Sequence, residues 1–110
     1  MNGALKAWIP KLAGLRILVV GDVILDEYVF GRATRMSREA PVPVLEFESR
    51  QVIPGGAANP AVNIARLGSE AVQIAVTGAD MAATQLRQLL QAHGIETNAL
   101  VKDAARPTTV

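Results

Sequence analysis

The sequence predicts an α/β domain: a parallel sheet joined by crossover helices, with a small antiparallel excursion ahead of the first crossover. Three observations predict it. Residues 16–21 (RILVVG) and 71–77 (AVQIAVT) are apolar, β-branched runs without alternation, the pattern of strands buried on both faces of a parallel sheet. Residues 59–67, between those strands, are bounded by helix start and stop signals, and about 82–93, after them, carry apolar side chains at helical spacing. Residues 28–54 break the pattern with alternation and with Pro41, Pro43 and Pro54, which favour sheet edges.

The elements follow in order. Trp8 and its apolar neighbours are expected to pack an N-terminal helix. The first strand closes at Gly21. In the excursion, Val44, Glu46 and Glu48 alternate with Leu45 and Phe47, the period of a strand with one wet face. For the first helix, Asn59 suits the N-cap, Pro60 the first helical position and Gly68 the position past the end. The second helix carries Leu86, Leu89 and Leu90, stops at Gly94, and takes Asp80 or Thr84 as its cap. Residues 97–101 read as a weaker third strand, and 106–110 as the opening of another. Strand, helix, strand, helix, strand implies right-handed crossovers. Three parallel strands with two helices leave an apolar face and edge uncovered. Residues 1–110 are therefore expected to be the N-terminal portion of a larger domain, with a complete minimal domain as the alternative.

Composition narrows the function classes. Half of the 110 residues are hydrophobic and 19% are charged, which excludes disorder over most of the length. Eleven basic residues against ten acidic ones give a net charge of +1, and the three lysines do not cluster with the arginines. No nucleic-acid or membrane-surface partner is expected. The absence of Cys excludes a disulfide framework, a thiolate metal site and a Cys nucleophile, and is compatible with a reducing cytoplasm. No apolar run is long enough to span a bilayer, and the N-terminus lacks the apolar core of a signal peptide. A cytoplasmic location is the expectation.

Two features could carry chemistry. The turn Pro54-Gly55-Gly56-Ala57-Ala58-Asn59 runs into the first helix. Small residues admit a ligand close to the backbone, and a helix start offers free N–H groups, so the turn suits an anion or a hydroxyl. It is no P-loop, for no Gly-Lys-Ser/Thr follows. A tight strand-to-helix turn that merely needs small residues is the competing reading. The second feature is Gly21-Asp22-Val23-Ile24-Leu25-Asp26. Asp22 and Asp26 fall just past the carboxyl end of the first strand, where ligands bind in open α/β sheets. Their carboxylates could accept hydrogen bonds from sugar hydroxyls; two alone make a poor metal set, and loop or capping roles compete. Arg32, Arg35, Arg38 and Arg50 could hold phosphate or form a solvated surface partly paired with Glu39, Glu46 and Glu48. His93, at a helix end, is given no chemistry.

The stretch Gly55-Gly56-Ala57-Ala58-Asn59-Pro60-Ala61, with Gly68 and Gly78 after it, resembles the N-terminal signature of the ribokinase, or PfkB-type, carbohydrate kinases. GDVILDEYVFG, RMSREAPVPV and PGGAANPAVNIARLG resemble, more narrowly, the heptose 7-phosphate kinase branch, whose domain occurs alone or fused in ADP-heptose synthesis for lipopolysaccharide. The resemblance spans about residues 15–110. It implies the N-terminal part of a ribokinase-like fold with a β-lid at 28–54. It implies that Asp26 bonds sugar hydroxyls, that Gly55 and Gly56 pack against the sugar, that Asn59 helps hold it, and that Asp22 lines the same pocket. The implied substrate is a sugar phosphate, the implied cofactors of a full-length enzyme are ATP and Mg, and the lid suggests a homodimer.

One departure limits the reading. The family's catalytic base is an Asp in a downstream Gly-Ala-Gly-Asp motif, in the region that also supplies most of the ATP site. That motif does not occur in these 110 residues. The chain alone is expected to bind no ATP or metal and to show no kinase activity. The competing readings are a non-catalytic remnant that associates through its lid, and a kinase for another sugar or a nucleoside.

Overall fold

A computed structural model describes residues 3–110; Met1 and Asn2 of the expected N-terminal segment lie outside the described residues. Five strands and three helices form two layers: β1 (Arg16–Val20), β2 (Val23–Met36), β3 (Pro43–Gly56), β4 (Glu70–Thr77), β5 (Leu100–Lys102), and α1 (Gly3–Lys6), α2 (Ala58–Arg66), α3 (Met81–Ala92). β1, β4 and β5 make a parallel sheet in the order β1-β4-β5. β2 and β3 pair antiparallel as a separate two-stranded arm.

The parallel sheet is covered on one side only. β1→α2→β4 and β4→α3→β5 step in the same direction across the sheet. Crossovers of one hand stepping one way deposit their helices on one face. Beneath them lies an aliphatic core of Val23, Leu25, Ala58, Ala61, Val62, Ala71, Ala75, Leu86, Leu90, Ile95 and Leu100. The central strand β4 presents Ala71, Gln73, Ala75 and Thr77 to it. Gln73 is fully buried, and its Nε2 donates to Val19 O at 3.1 Å, adding a side-chain tie to the β1–β4 ladder. The opposite face is open over most of its area: Leu18 is 60% and Val20 71% exposed, with Val76 and Val101 exposed beside them, while Val72 at the sheet centre is buried. The unbroken apolar run of β1 therefore does not mark burial on both faces here, because no element packs against the second one.

Several boundaries differ from expectation. The arm begins at Val23, not Tyr28, because β2 leaves the parallel sheet after a two-residue turn and stays extended for 14 residues. Asp26 therefore sits within a strand, opposite Ile53, and not in a loop. Register shifts at Phe30/Gly31 and Ala33/Arg35 interrupt the alternation of the arm, and Leu45 and Phe47 are exposed along with Glu46 and Glu48, so neither arm face is covered. α2 starts at Ala58, with Ala57 already helical at φ −65°, ψ −17°. Asn59 is thus the second helical residue and not the N-cap, and no side chain caps this helix. The chain instead enters α2 through Gly56 at φ 57° and a bond from Ala57 N–H to Asp22 O at 2.8 Å.

α3 runs from Met81, and Asp80 is its cap, accepting from Ala83 N–H at 2.9 Å. β5 is shorter and later than expected; Glu96 adds only an isolated bridge to Val72. Residues 106–110 form no strand. Arg106 is a bend and the residues after it are irregular; Thr108 is tied to the start of α3 and Thr109 O receives the Leu25 N–H at 2.9 Å. Trp8 packs no helix: it lies between two single turns, exposed, with Lys11 Nζ 4.4 Å from its ring centroid. No helix among the described residues is long and apolar enough to cross a membrane.

Candidate functional site

The candidate residues gather where the arm joins the parallel sheet. Gly21 and Asp22 turn the chain from β1 into β2, and Gly55 and Gly56 return it from β3 into α2. The register closes this junction by setting Val23 opposite Gly56 and Ile24 opposite Gly55. Both glycines are required by what touches them. A Cβ on Gly55 would collide with the Asp26 carboxyl, 2.5 Å from its Cγ. A Cβ on Gly56 would fall 2.5 Å from Asp22 O, and its positive φ disfavours any side chain. The carboxyl of Asp26 is therefore laid flat against a bare backbone.

Asp26 is half-buried, and Asp22 is exposed. Neither carboxylate makes a hydrogen bond or an ion pair within the described residues. A carboxylate held at a glycine turn, with its lone pairs free, can accept from two or more hydroxyl donors. The uncapped start of α2 stands immediately after, and its first-turn N–H groups lack intrahelical acceptors. Asn59 lies in that first turn and is exposed. It borders a cavity of about 230 Å³ lined also by Ile53, Pro54, Val62, Arg66 and His93. Asp26 with Gly55 and Asp22 with Gly56 are in direct contact; Asn59 stands three residues after Gly56, with no hydrogen bond to either pair among the described residues. No group of three or more His, Asp or Glu side chains able to hold a metal occurs among the described residues.

The arginines of the arm divide. Arg32 pairs with Glu48 through Nε and Nη2 at 3.0 and 2.9 Å, and Arg50 with Glu27 at 2.9 Å. Arg35 and Arg38 form no ion pair among the described residues. The partner of Arg50 lies on the other strand, outside the acidic residues expected from sequence.

One cluster was missed by sequence reasoning. Asp80 Oδ2 accepts from Thr108 N–H at 2.9 Å, and Asp80 Oδ1 from the Thr108 hydroxyl at 2.7 Å. The same hydroxyl accepts from Gly78 N–H at 2.9 Å. These bonds from the Thr108 amide and hydroxyl, with the Ala83 amide, hold the Asp80 carboxyl below its ordinary value. A larger cavity, about 680 Å³, opens beside this cluster along α3, lined by Thr77, Asp80, Arg87 and Lys102 among others; none of the five candidate residues lines it. Gly78-Ala79-Asp80 and Pro107-Thr108-Thr109 are too common as dipeptide and turn patterns to announce the pairing.

Comparison with known proteins shows the family and the fold. The family model described as pfkB family carbohydrate kinase matches residues 15–110. A bifunctional protein HldE of Azotobacter vinelandii is 46% identical over 106 residues, covering 96% of this chain and 22% of that protein. A D-beta-D-heptose 7-phosphate kinase of Bordetella bronchiseptica is 45% identical over 100 residues, covering 91% and 32%. The chain thus spans about a fifth to a third of the length of these curated relatives. The crystal structure of aminoimidazole riboside kinase from Salmonella enterica, complexed with aminoimidazole riboside and an ATP analog, superposes with a TM-score of 0.60 at 30% identity over 84% of this chain and 27% of that one. The fold is ribokinase-like, as the sequence predicts.

Proposed function

The chain belongs to the pfkB family of carbohydrate kinases, and from that premise we propose that its residues form the sugar-holding part of an ATP-dependent kinase that phosphorylates heptose 7-phosphate at the anomeric hydroxyl. The observation that carries the reading is the Asp26 carboxylate, seated on Gly55 at the arm junction with no partner in the described chain. The relatives that include a heptose 7-phosphate kinase, at 45–46% identity, support the choice of sugar.

In this reading Asp26 accepts hydrogen bonds from adjacent sugar hydroxyls and fixes the orientation of the ring. Gly55 and Gly56 let the ring approach the backbone. Asn59 both donates and accepts, and the free N–H groups of the α2 start face the same oxygens. Asp22 borders the pocket. The arm covers the sugar and restricts water, and orientation of this kind supplies a large share of the rate in phosphoryl transfer. None of these residues is assigned proton abstraction from the anomeric hydroxyl. The base, the nucleotide site and the ligands of magnesium, which would neutralise charge on the transferred phosphoryl group, are assigned to residues outside this stretch. The 110 residues alone are accordingly inactive. We further propose a cytoplasmic homodimer joined through the arms, because Val29, Leu45 and Phe47 are apolar and uncovered.

Asp26→Asn in the intact protein tests the assignment. It keeps the shape and removes the charge. We expect kcat/KM for heptose 7-phosphate to fall about 100-fold, the value of a lost charge-assisted contact pair, with the KM for ATP unchanged. Unchanged sugar kinetics would sink the reading. A panel of other sugars and nucleosides on the same protein separates the heptose reading from a kinase of different specificity.

A further inference from the structure

The two sheets of this chain share no ladder. The junction turn and the packing of helices against the arm connect them, and so does one further link that begins just past the carboxyl end of β4. Asp80 holds both the N–H and the hydroxyl of Thr108, and Thr108 is 6% exposed. Thr109, the next residue, turns its carbonyl to Leu25 N–H at 2.9 Å. Leu25 pairs with Pro54, which has no N–H, and its own N–H faces the other edge of β2, so Thr109 fills a position that β3 does not serve. Leu25 is the residue before Asp26, and its side chain is buried at 1% exposure in the core.

The close approach is built into the backbone. A Cβ on Gly78 would lie 2.6 Å from Arg106 O and 2.7 Å from Thr108 N, so only glycine lets residues 106–108 reach Asp80. Every polar group of the clip is used: the Thr108 hydroxyl donates once and accepts once, and both oxygens of Asp80 accept. Arranged this way, the clip links the start of α3 to β2 at Leu25, the residue before Asp26.

We propose that Asp80 is a positioning residue for the sugar site: it holds Thr108 so that the Thr109 carbonyl fixes Leu25, and with it the carboxylate of Asp26. This inference rests on the reading of Asp26 as a sugar ligand.

The test compares Thr108→Val and Thr108→Ser in the intact protein. Valine keeps the size and removes the hydroxyl; serine restores it. Amide hydrogen exchange over residues 23–27 and the kinetic constants for heptose 7-phosphate and ATP are measured together. We expect Thr108→Val to raise exchange over 23–27 and to raise the sugar KM about ten-fold, with kcat and the ATP KM within two-fold. Thr108→Ser is expected to restore both. Unchanged exchange over 23–27 in Thr108→Val overturns the proposal, as does a loss that falls equally on sugar and ATP or that serine fails to rescue. If Thr108→Val does not fold, Asp80→Asn is the substitute. It retains one carbonyl oxygen for Ala83 and cannot accept both Thr108 bonds. If the parent protein neither binds nor phosphorylates the sugar, the kinase reading fails, and exchange over 23–27 still decides whether the clip orders β2.

Discussion

The arm, residues 23–56, and the body, built from the rest of the described chain, are held by different forces. In the body, Leu86 and Leu90 of α3 are fully buried against Ala71, Ala75 and Leu25. In the arm, two 14-residue strands pair along nearly their whole length, yet Phe47 is 68% exposed and Tyr28, Val29 and Phe30 are about half exposed or more. The body is stabilised by removing side chains from water, the arm by its ladder of backbone hydrogen bonds. A two-stranded ribbon on its own is marginal in water, so the arm is anchored only where Val23, Leu25 and Val52 enter the core of the body. The candidate site sits at that anchor, where a rigid layer meets a compliant one.

Three measurements bear on the contrast. The largest effect is expected for Leu86→Ala, which should destabilise the protein by about 3 kcal/mol through lost burial and a residual cavity. Phe47→Ala should change monomer stability by less than about 0.5 kcal/mol, because an exposed side chain has little burial to lose. Urea unfolding of both variants measures the difference, and equal losses would erase the distinction between body and arm. Second comes pH. The Asp80 carboxyl is held below its ordinary value of 3.8 by Thr108 and Ala83. A depressed pKa contributes stability that is present above the unfolded value and is lost as pH falls through the folded one. Melting temperature should therefore drop on acidification below about pH 4, and Asp80→Asn should flatten part of that drop. Identical profiles for parent and variant would remove Asp80 from the account. Smallest is Arg32→Ala. Its partner Glu48 is nearly half exposed and Arg32 itself 74% exposed, and such surface pairs are worth a few tenths of a kcal/mol, so a double-mutant cycle with Glu48→Ala should give a coupling below about 0.5 kcal/mol.

How far the sequence spoke for itself depended on the range of the interaction. β1 and β4, the leucines of α3 and the glycine turn were legible because each is local: a run, a period, a pair of small residues. Asp80 as a cap was legible for the same reason. The start of α2 was misplaced because the turn at Gly56 and the bond from Ala57 to Asp22 substitute for a side-chain cap, and that bond crosses from another element. The exposure of Leu18 and Val20 could not be read from the β1 run, which looks the same whether or not something covers it, but it followed from the element count, because three parallel strands with two helices leave one apolar face uncovered. The pairing of Thr108 with Asp80 joins residues 28 positions apart and leaves no periodic trace. The glycine turn with Asn59 and the two carboxylates of Asp22 and Asp26 were legible as candidates, their individual roles came from resemblance, and the structure adds the contact between Asp26 and Gly55 that composition could not supply.

The insertion of the arm also bears on the order in which the chain can assemble. Parallel pairing of β1 with β4 must join segments far apart in sequence; Leu15 and Ser69, bonded at its edge, are 54 residues apart. Closing so long a loop delays contact formation and carries an entropic cost that grows with the logarithm of its length. The arm is a hairpin, and its pairing sets Val23 beside Gly56. Once it has done so, the effective loop between β1 and β4 is short. Pairing within the arm therefore shortens the loop that β1 and β4 must close, and the glycines at its foot are the point where that loop closes.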